Sequence, residues 1–181
     1  MGRFSNSDII LLMLYTLTGL PYSGKTTLTE ELVKRFGFSS VSMDDIIDQK
    51  GYEVEKMTQE DWNLVYSEGY GKLKKLLLEG RTVVLDLGNL KRSERKTAKE
   101  IAESLGSDHK LIYLDISIDG IEDRWKKNSN TKERGQLERS TLDRALNMFE
   151  KPTPDEDFVI YNQDMDLDKW VETNIPTPDQ L

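Results

Sequence analysis

Cysteine is absent from the 181-residue sequence, and His109 is its only histidine. The lack of cysteine excludes disulfides, thiolate metal sites and cysteine nucleophiles. A Ser-His-Asp triad or a multi-histidine metal site would have to be built around one imidazole, so hydrolases of those types are disfavoured. We predict that His109, which precedes a strand, is a surface residue without a chemical role.

Long apolar runs are missing as well. The most apolar stretch, residues 9–20, is shorter than the roughly 20 residues that a membrane-spanning helix needs. It continues into a glycine-rich motif instead of the small residues that follow the apolar part of a signal peptide. We therefore predict a cytoplasmic protein with no membrane partner, in which residues 1–8 are a disordered extension.

Basic residues are outnumbered by acidic ones. Lys and Arg total 25 against 33 Asp and Glu, which gives a net charge of −8. Such an acidic chain disfavours binding to long nucleic acids. Residues 124–144 are an exception, because they hold seven bases against three acids. With 36% hydrophobic residues, the composition is typical of one globular domain, to which we assign residues 1–181. The sequence indicates no oligomeric state.

Strand-like apolar runs alternate with helical patterns along the chain. We predict strands over residues 12–18, 39–43, 81–87, 111–116 and 158–161. We predict helices over residues 25–36, from 58 onward, and over 93–105, 121–127, 139–149 and 167–172. The polar stretch 128–136 is predicted to be a loop. This alternation indicates right-handed βαβ units, and therefore an α/β fold with a parallel sheet covered by helices.

A glycine-rich motif follows the first predicted strand and opens the first predicted helix. It reads Gly19-Leu20-Pro21-Tyr22-Ser23-Gly24-Lys25-Thr26 and fits G-x-x-x-x-G-K-[ST]. In such a P-loop, backbone N–H groups and the helix N-terminus surround a phosphate. We expect Lys25 to reach the β and γ phosphates and the Thr26 hydroxyl to hold Mg²⁺. The residues assigned to the nucleotide are Gly19, Tyr22, Ser23, Gly24, Lys25, Thr26 and Thr27.

Carboxylates follow two of the other predicted strands. Asp44 and Asp45 come after the second strand, and Asp86 ends the third. The carboxyl ends of parallel strands open onto the same crevice as the P-loop, so we assign Asp44 and Asp45 to the acceptor and Asp86 to Mg²⁺. A helix N-cap with a first-turn acid would alone explain one residue of the Asp44–Asp45 pair.

The residue after Asp86 is Leu87, whereas motor ATPases carry a Glu there to activate water. Its absence favours phosphoryl transfer to an acceptor other than water. The guanine-recognition pattern N-K-x-D is also absent, which makes ATP the expected nucleotide. Asn89 and Arg92, just past Asp86, are assigned to the substrate.

The basic segment at residues 124–144 is a candidate lid. Planar guanidinium groups match phosphate oxygens, so we predict that Arg124 contacts the nucleotide. Arg134, or Lys132 in its place, is expected to supply a second, catalytic charge over the triphosphate.

Four segments, residues 19–27, 43–45, 86–95 and 149–157, resemble P-loop kinases with an AAA-type ATP-binding domain. This family includes polynucleotide 5′-hydroxyl kinases, gluconate kinase, chloramphenicol phosphotransferase and the zeta toxins. The resemblance implies the P-loop NTPase fold, with a five-stranded parallel sheet between helices and a small helical lid. It also implies that Asp44 is the base toward the acceptor hydroxyl, and that Asp86 and Asn89 lie near Mg²⁺ or substrate.

Two positions depart from the family pattern. Ile47 stands where polynucleotide kinases carry an Arg, and Asn128 stands where the lid commonly carries its second Arg. We therefore expect a phosphotransferase that uses ATP and Mg²⁺ on a hydroxyl of a small molecule. A kinase of polynucleotide or nucleoside 5′-hydroxyls and a nucleotide-dependent switch without phosphoryl transfer are the alternatives.

Overall fold

A five-stranded sheet organises the protein. The computed structural model describes residues 12–131, 135–162 and 164–176. The strands are β1 (Met13–Thr18), β2 (Ser39–Ser42), β3 (Val83–Asp86), β4 (Asp108–Asp115) and β5 (Phe158–Asn162). They lie in the order β2-β3-β1-β4-β5, and every neighbouring pair is parallel. The α/β fold and the five-stranded parallel sheet predicted from the sequence are confirmed.

Seven helices are described. They are α1 (Lys25–Phe36), α2 (Met43–Lys50), α3 (Gln59–Leu78), α4 (Arg92–Ser104), α5 (Ile118–Thr131), α6 (Arg139–Met148) and α7 (Leu167–Asn174). Two single turns of 3₁₀-helix, Val54–Lys56 and Pro154–Glu156, complete the regular structure of the described residues. Within those residues, no helix combines the length and the apolar character needed to cross a membrane.

The sheet is buried on both faces because successive side chains of a strand point in opposite directions. On β3, Val83 and Leu85 pack with α2, α3 and α4, whereas Val84 packs with α1 and α7. A continuous apolar run is therefore needed where a strand is covered on both sides. This requirement explains the Val-Val-Leu sequence of β3.

Local sequence signals set the ends of α3 and its packing. Thr58 and Asp61 form the capping box that starts the helix. Gly69 lies in the middle of α3, and a Cβ there would stand 2.7 Å from the Leu87 side chain. Glycine at this position therefore lets α3 approach the turn that follows β3 closely, and the helix continues through it.

The first part of the candidate lid differs from the sequence prediction. Helix α5 extends to Thr131, so residues 128–131 are helical and not part of a loop. Asn128 is buried, and its amide donates to the Gln136 side chain at 2.7 Å. The indole of Trp125 donates to the Leu137 carbonyl at 2.9 Å. These tertiary contacts stabilise a polar sequence as helix. Arg134, Lys132 and the extension at residues 1–8 lie outside the described residues.

His109 lies inside the sheet, and the prediction of a surface residue was wrong. It belongs to β4, is partly buried, and places its Nε2 3.0 Å from the Thr16 hydroxyl of β1. Burial, with a further contribution from the Lys99 charge, lowers the pKa of His109 to about 4. The folded protein therefore holds this ring neutral.

Stability is accordingly expected to fall in mildly acidic solution. The unfolded chain takes up a proton near the ordinary pKa of 6.5, whereas the folded chain does so only near about 4. Between about pH 7 and about pH 5, wild type should lose about 2 kcal/mol more unfolding free energy than His109→Gln. Urea denaturation at both pH values measures the difference. Equal losses in the two proteins would contradict this account.

Candidate active site

The backbone of the loop between β1 and α1 has positive φ angles at three residues. Gly19 has φ +155°, and a Cβ there would stand 2.9 Å from the Leu114 carbonyl oxygen. Gly24, the N-cap of α1, has φ +103°, and Tyr22 has φ +65°. Both glycines are therefore required for the chain to curl between strand and helix. The predicted strand–loop–helix context of the motif is present.

Lys25 folds back over this loop. Its ammonium donates to the Gly19 carbonyl at 2.9 Å and to the Leu20 carbonyl at 3.1 Å. The Ser23 hydroxyl is buried in the same loop and has no hydrogen-bond partner among the described residues. Thr26 and Thr27, in the first turn of α1, are exposed. The loop thus presents a cation, hydroxyls and a helix N-terminus together, a donor set suited to an anion.

A cavity of about 510 Å³ extends from the P-loop across the carboxyl edge of the sheet. The P-loop lines one end. The other end, called here the acceptor end, is lined by Met43, Asp44, Ile47, Asp48, Val54, Glu55, Trp62 and Leu90. Asp86 and residues of the 135–141 segment also line the cavity. One space therefore joins the loop to an open chamber with acidic and apolar walls.

Two carboxylates predicted from the strand ends meet in this cavity. Burial raises the pKa of Asp86, and the negative charge of Asp44 raises it further, while Lys25 and the Gly88 N–H act in the opposite direction. Asp44 and Asp86 are therefore close enough to repel each other. A divalent cation would relieve that repulsion.

The donor set near Asp86 fits Mg²⁺. The described residues hold no group of three or more His, Asp or Glu side chains that could enclose a metal. Magnesium in nucleotide sites is commonly held by one or two protein oxygens together with phosphates and water. The Asp86 carboxylate and the Thr26 hydroxyl, which both line the cavity, are ligands of that kind.

Asp45 does not line the cavity, unlike its neighbour Asp44. Both residues are in the first turn of α2, whose N-cap Ser42 accepts a hydrogen bond from the Asp45 N–H at 3.4 Å. The helix turns the Asp45 side chain to solvent. Its assignment to the acceptor was wrong in this geometry, and Asp45 is explained by the start of the helix.

Asn89 is also placed differently from the prediction. Its side chain is 0% exposed, and its amide donates to the Leu17 carbonyl at 2.9 Å and to the Leu85 carbonyl at 3.4 Å. The Thr18 hydroxyl donates to the Asn89 carbonyl at 2.7 Å. Asn89, at φ +49°, therefore connects β1 to β3, and it is not among the residues that line the cavity.

Arg95 stabilises the same turn, a role the sequence reasoning missed. Its guanidinium is 2% exposed, donates to both Glu156 oxygens at 2.7 and 2.9 Å, and also donates to the carbonyls of Asn89 and Leu90. Burial alone would raise the pKa of Glu156, but the hydrogen bonds from Arg95 and from the Thr153 N–H lower it. The pair is therefore charged and structural.

Arg92, assigned to the substrate, lies outside the cavity. It contacts the Thr153 hydroxyl and the Asp155 carboxylate on the protein surface. Arg92 is the first residue of α4 and is not among the residues that line the cavity. The assignment to substrate binding was therefore wrong in this geometry.

Arg124, predicted to contact the nucleotide, lies against the P-loop. It donates to the Tyr22 carbonyl at 2.8 Å. The Tyr22 hydroxyl in turn accepts from the Leu137 N–H at 3.3 Å. Leu20 and Tyr22 also share an apolar cluster with Ile121 of α5 and Leu142 of α6. The base of the candidate lid is thus packed directly on the loop.

Comparison with known proteins identifies a matching family and several similar proteins. The AAA domain family matches residues 14–152. Adenylate kinase isoenzyme 5 of Mus musculus is 28% identical over 148 residues, which cover 75% of this chain and 25% of that protein. The chain therefore spans about a quarter of the length of that relative.

Two further proteins are similar over more of their length. The Schizosaccharomyces pombe protein named "Probable gluconokinase" is 26% identical over 154 residues, covering 81% of this chain and 77% of the relative. A crystal structure of an unliganded sugar kinase from Janibacter sp. superposes with a TM-score of 0.68 at 18% identity, covering 93% of this chain and 95% of that one. At that identity the likeness shows the fold. The family match covers well over half of the sequence, and the chain accordingly belongs to the AAA domain family of P-loop kinases, as its motifs predicted.

Proposed function

We propose that the protein transfers the γ-phosphate of ATP to a hydroxyl of a small-molecule acceptor, with Mg²⁺ as the metal. The observation that carries the proposal is that the P-loop, Asp86 and Asp44 line one cavity. Phosphoryl transfer needs a phosphate site and an acceptor site in line, and it depends mainly on positioning and charge.

The phosphate end is supplied by the P-loop. In the nucleotide complex, the Lys25 ammonium releases the Gly19 and Leu20 carbonyls and donates to oxygens of the β and γ phosphates instead. The N-terminus of α1 adds its partial positive charge. Thr26 and Asp86 would hold Mg²⁺, which supplies positive charge to the phosphate oxygens. The leaving ADP is stabilised at this end.

The acceptor end is supplied by Asp44. Its carboxylate orients the acceptor hydroxyl and receives the proton while the new oxygen–phosphorus bond forms and the bond to the β-phosphate oxygen breaks. Since the transition state is loose, the proton leaves late and orientation accounts for much of the effect. Arg124 brings a positive charge beside the P-loop. Arg134 stays a prediction as the second charge of the lid.

The two alternative functions fit the site less well. A kinase of nucleic-acid ends would need bases for the acceptor phosphodiesters, whereas the described residues of the acceptor end carry acids. A switch without transfer needs no carboxylate opposite the phosphate site. The position of Asp44 therefore favours a transferase acting on a small alcohol.

Replacing Lys25 by Ala should abolish most ATP binding without unfolding the protein, because the hydrogen bonds of the ammonium to described residues go to two loop carbonyls. We expect at least a roughly tenfold weaker Kd for ATP, as a charge-assisted phosphate contact is worth about 1.5–3 kcal/mol. Calorimetric titration measures the affinity, and circular dichroism checks the fold. An unchanged Kd would contradict the assignment of the loop.

Replacing Asp44 by Asn should lower kcat roughly 10²-fold or more, the scale of a lost general base. ATP affinity should change little, since the P-loop makes the phosphate contacts. Asp45→Asn is the matched control, because that neighbour is outside the cavity. Steady-state kinetics on an identified acceptor measure both variants. Full activity in Asp44→Asn with a loss of activity in Asp45→Asn would show that Asp45 is the general base. Full activity in both variants would refute the mechanism.

A further inference from the structure

Two carboxylates at the acceptor end have no part in the transfer step. Asp48 lies one helical turn after Asp44 on α2, and Glu55 comes from the 3₁₀ turn Val54–Lys56. Both residues are exposed to the cavity and to solvent. Phosphate binding and proton transfer use neither of them, so their presence in the wall needs a separate explanation.

Within the described part of the chain, no basic side chain pairs with either of these two carboxylates. Over residues 12–131, 135–162 and 164–176, neither Asp48 nor Glu55 has a basic group within 4.0 Å. Among the described residues that line the cavity, the single base is Lys25, at the opposite end. An anionic group on the acceptor would therefore face repulsion from Asp48 and Glu55 together.

The remaining wall of the acceptor end suits a cation with an organic body. Trp62 lines the cavity beside the apolar side chains of Met43, Ile47 and Val54. An aromatic face attracts an ammonium group, and nearby carboxylates add a direct charge interaction. Residues four apart on a helix share one face, with roughly 5–6 Å between their Cβ atoms. Asp44 and Asp48 could thus contact two groups of one small molecule.

We propose that the acceptor is a small alcohol carrying an ammonium group, such as an amino alcohol or an amino sugar. The inference rests on the proposed function and names the substrate class of the same cavity. The hydroxyl faces Asp44 and the P-loop, and the ammonium lies toward Asp48, Glu55 and Trp62. Amino-group binding then sets which alcohol is presented to ATP.

Binding of charge-matched probes tests the proposal. Each of two series holds a cationic, a neutral and an anionic probe, in that order: glucosamine, glucose and gluconate, and ethanolamine, ethylene glycol and glycolate. Each probe is titrated calorimetrically into the full chain saturated with a non-hydrolysable ATP analogue. Within each series, we expect the cationic probe to bind roughly tenfold or more tightly than the neutral one, and the anion to bind least. Equal binding across charge, or the tightest binding by a neutral or anionic probe, would overturn the proposal.

Variants locate the source of the charge preference. Asp48→Asn and Glu55→Gln should each weaken binding of the cationic probe roughly three- to tenfold, and should raise KM more than they lower kcat. Glu53→Gln is the control, because Glu53 pairs with Lys56 outside the cavity. A charge preference that survives in the Asp48→Asn/Glu55→Gln double variant would contradict this placement.

Failure of the inference and failure of the proposed function give different results. Phosphorylation of a neutral or anionic alcohol in preference to its amino counterpart would refute the inference and leave the kinase intact. Selective binding of the cationic probes, without ADP formation from ATP in the presence of any alcohol, would refute the kinase reaction while retaining the charge preference of the cavity.

Discussion

Parallel pairing of β1 with β3 is the constraint on which the site depends. The register places Leu14 opposite Val83 and Thr16 opposite Leu85, so both strands end at the same edge of the sheet. The P-loop leaves from one strand end and Asp86 stands at the other. Because a parallel pair cannot be joined by a tight turn, the connection between the two strands contains α1, β2, α2 and α3. Strand β2 is parallel to β3, so its end places Asp44 at the same edge.

Buried polar groups hold that edge in place. The Asn89 amide bonds to carbonyls of both strands, and Arg95 holds the Asn89 and Leu90 carbonyls while paired with Glu156. Removing one partner of such a pair leaves a buried charge and costs about 3–5 kcal/mol. The position of Asp86 thus depends on a 3₁₀ turn near the C-terminal end of the fold. Residues outside the cavity are in this way part of its support.

The sequence was sufficient for the sheet, the P-loop and the convergence of Asp44 and Asp86, because apolar runs, glycine spacing and parallel topology determine all three. It was insufficient for side-chain direction. Asp45 and Asn89 follow strand ends as Asp44 does, but a helix start turns one to solvent and a positive φ turns the other into the core. The partner of Arg95 lies 61 residues away, a distance over which local patterns carry no information. The hydrogen bond from Asn128 to Gln136 likewise stabilises helix α5 in a polar stretch whose sequence alone predicts a loop.

The central claim is that one cavity brings the γ-phosphate of ATP to an alcohol. Phosphorus-31 NMR of the purified chain with ATP, Mg²⁺ and the acceptor probes tests it most directly, since the chemical shift separates a phosphate monoester from inorganic phosphate. The account predicts a new monoester resonance that grows in step with ADP. Formation of inorganic phosphate as the only product besides ADP, at a rate independent of every alcohol, would contradict it.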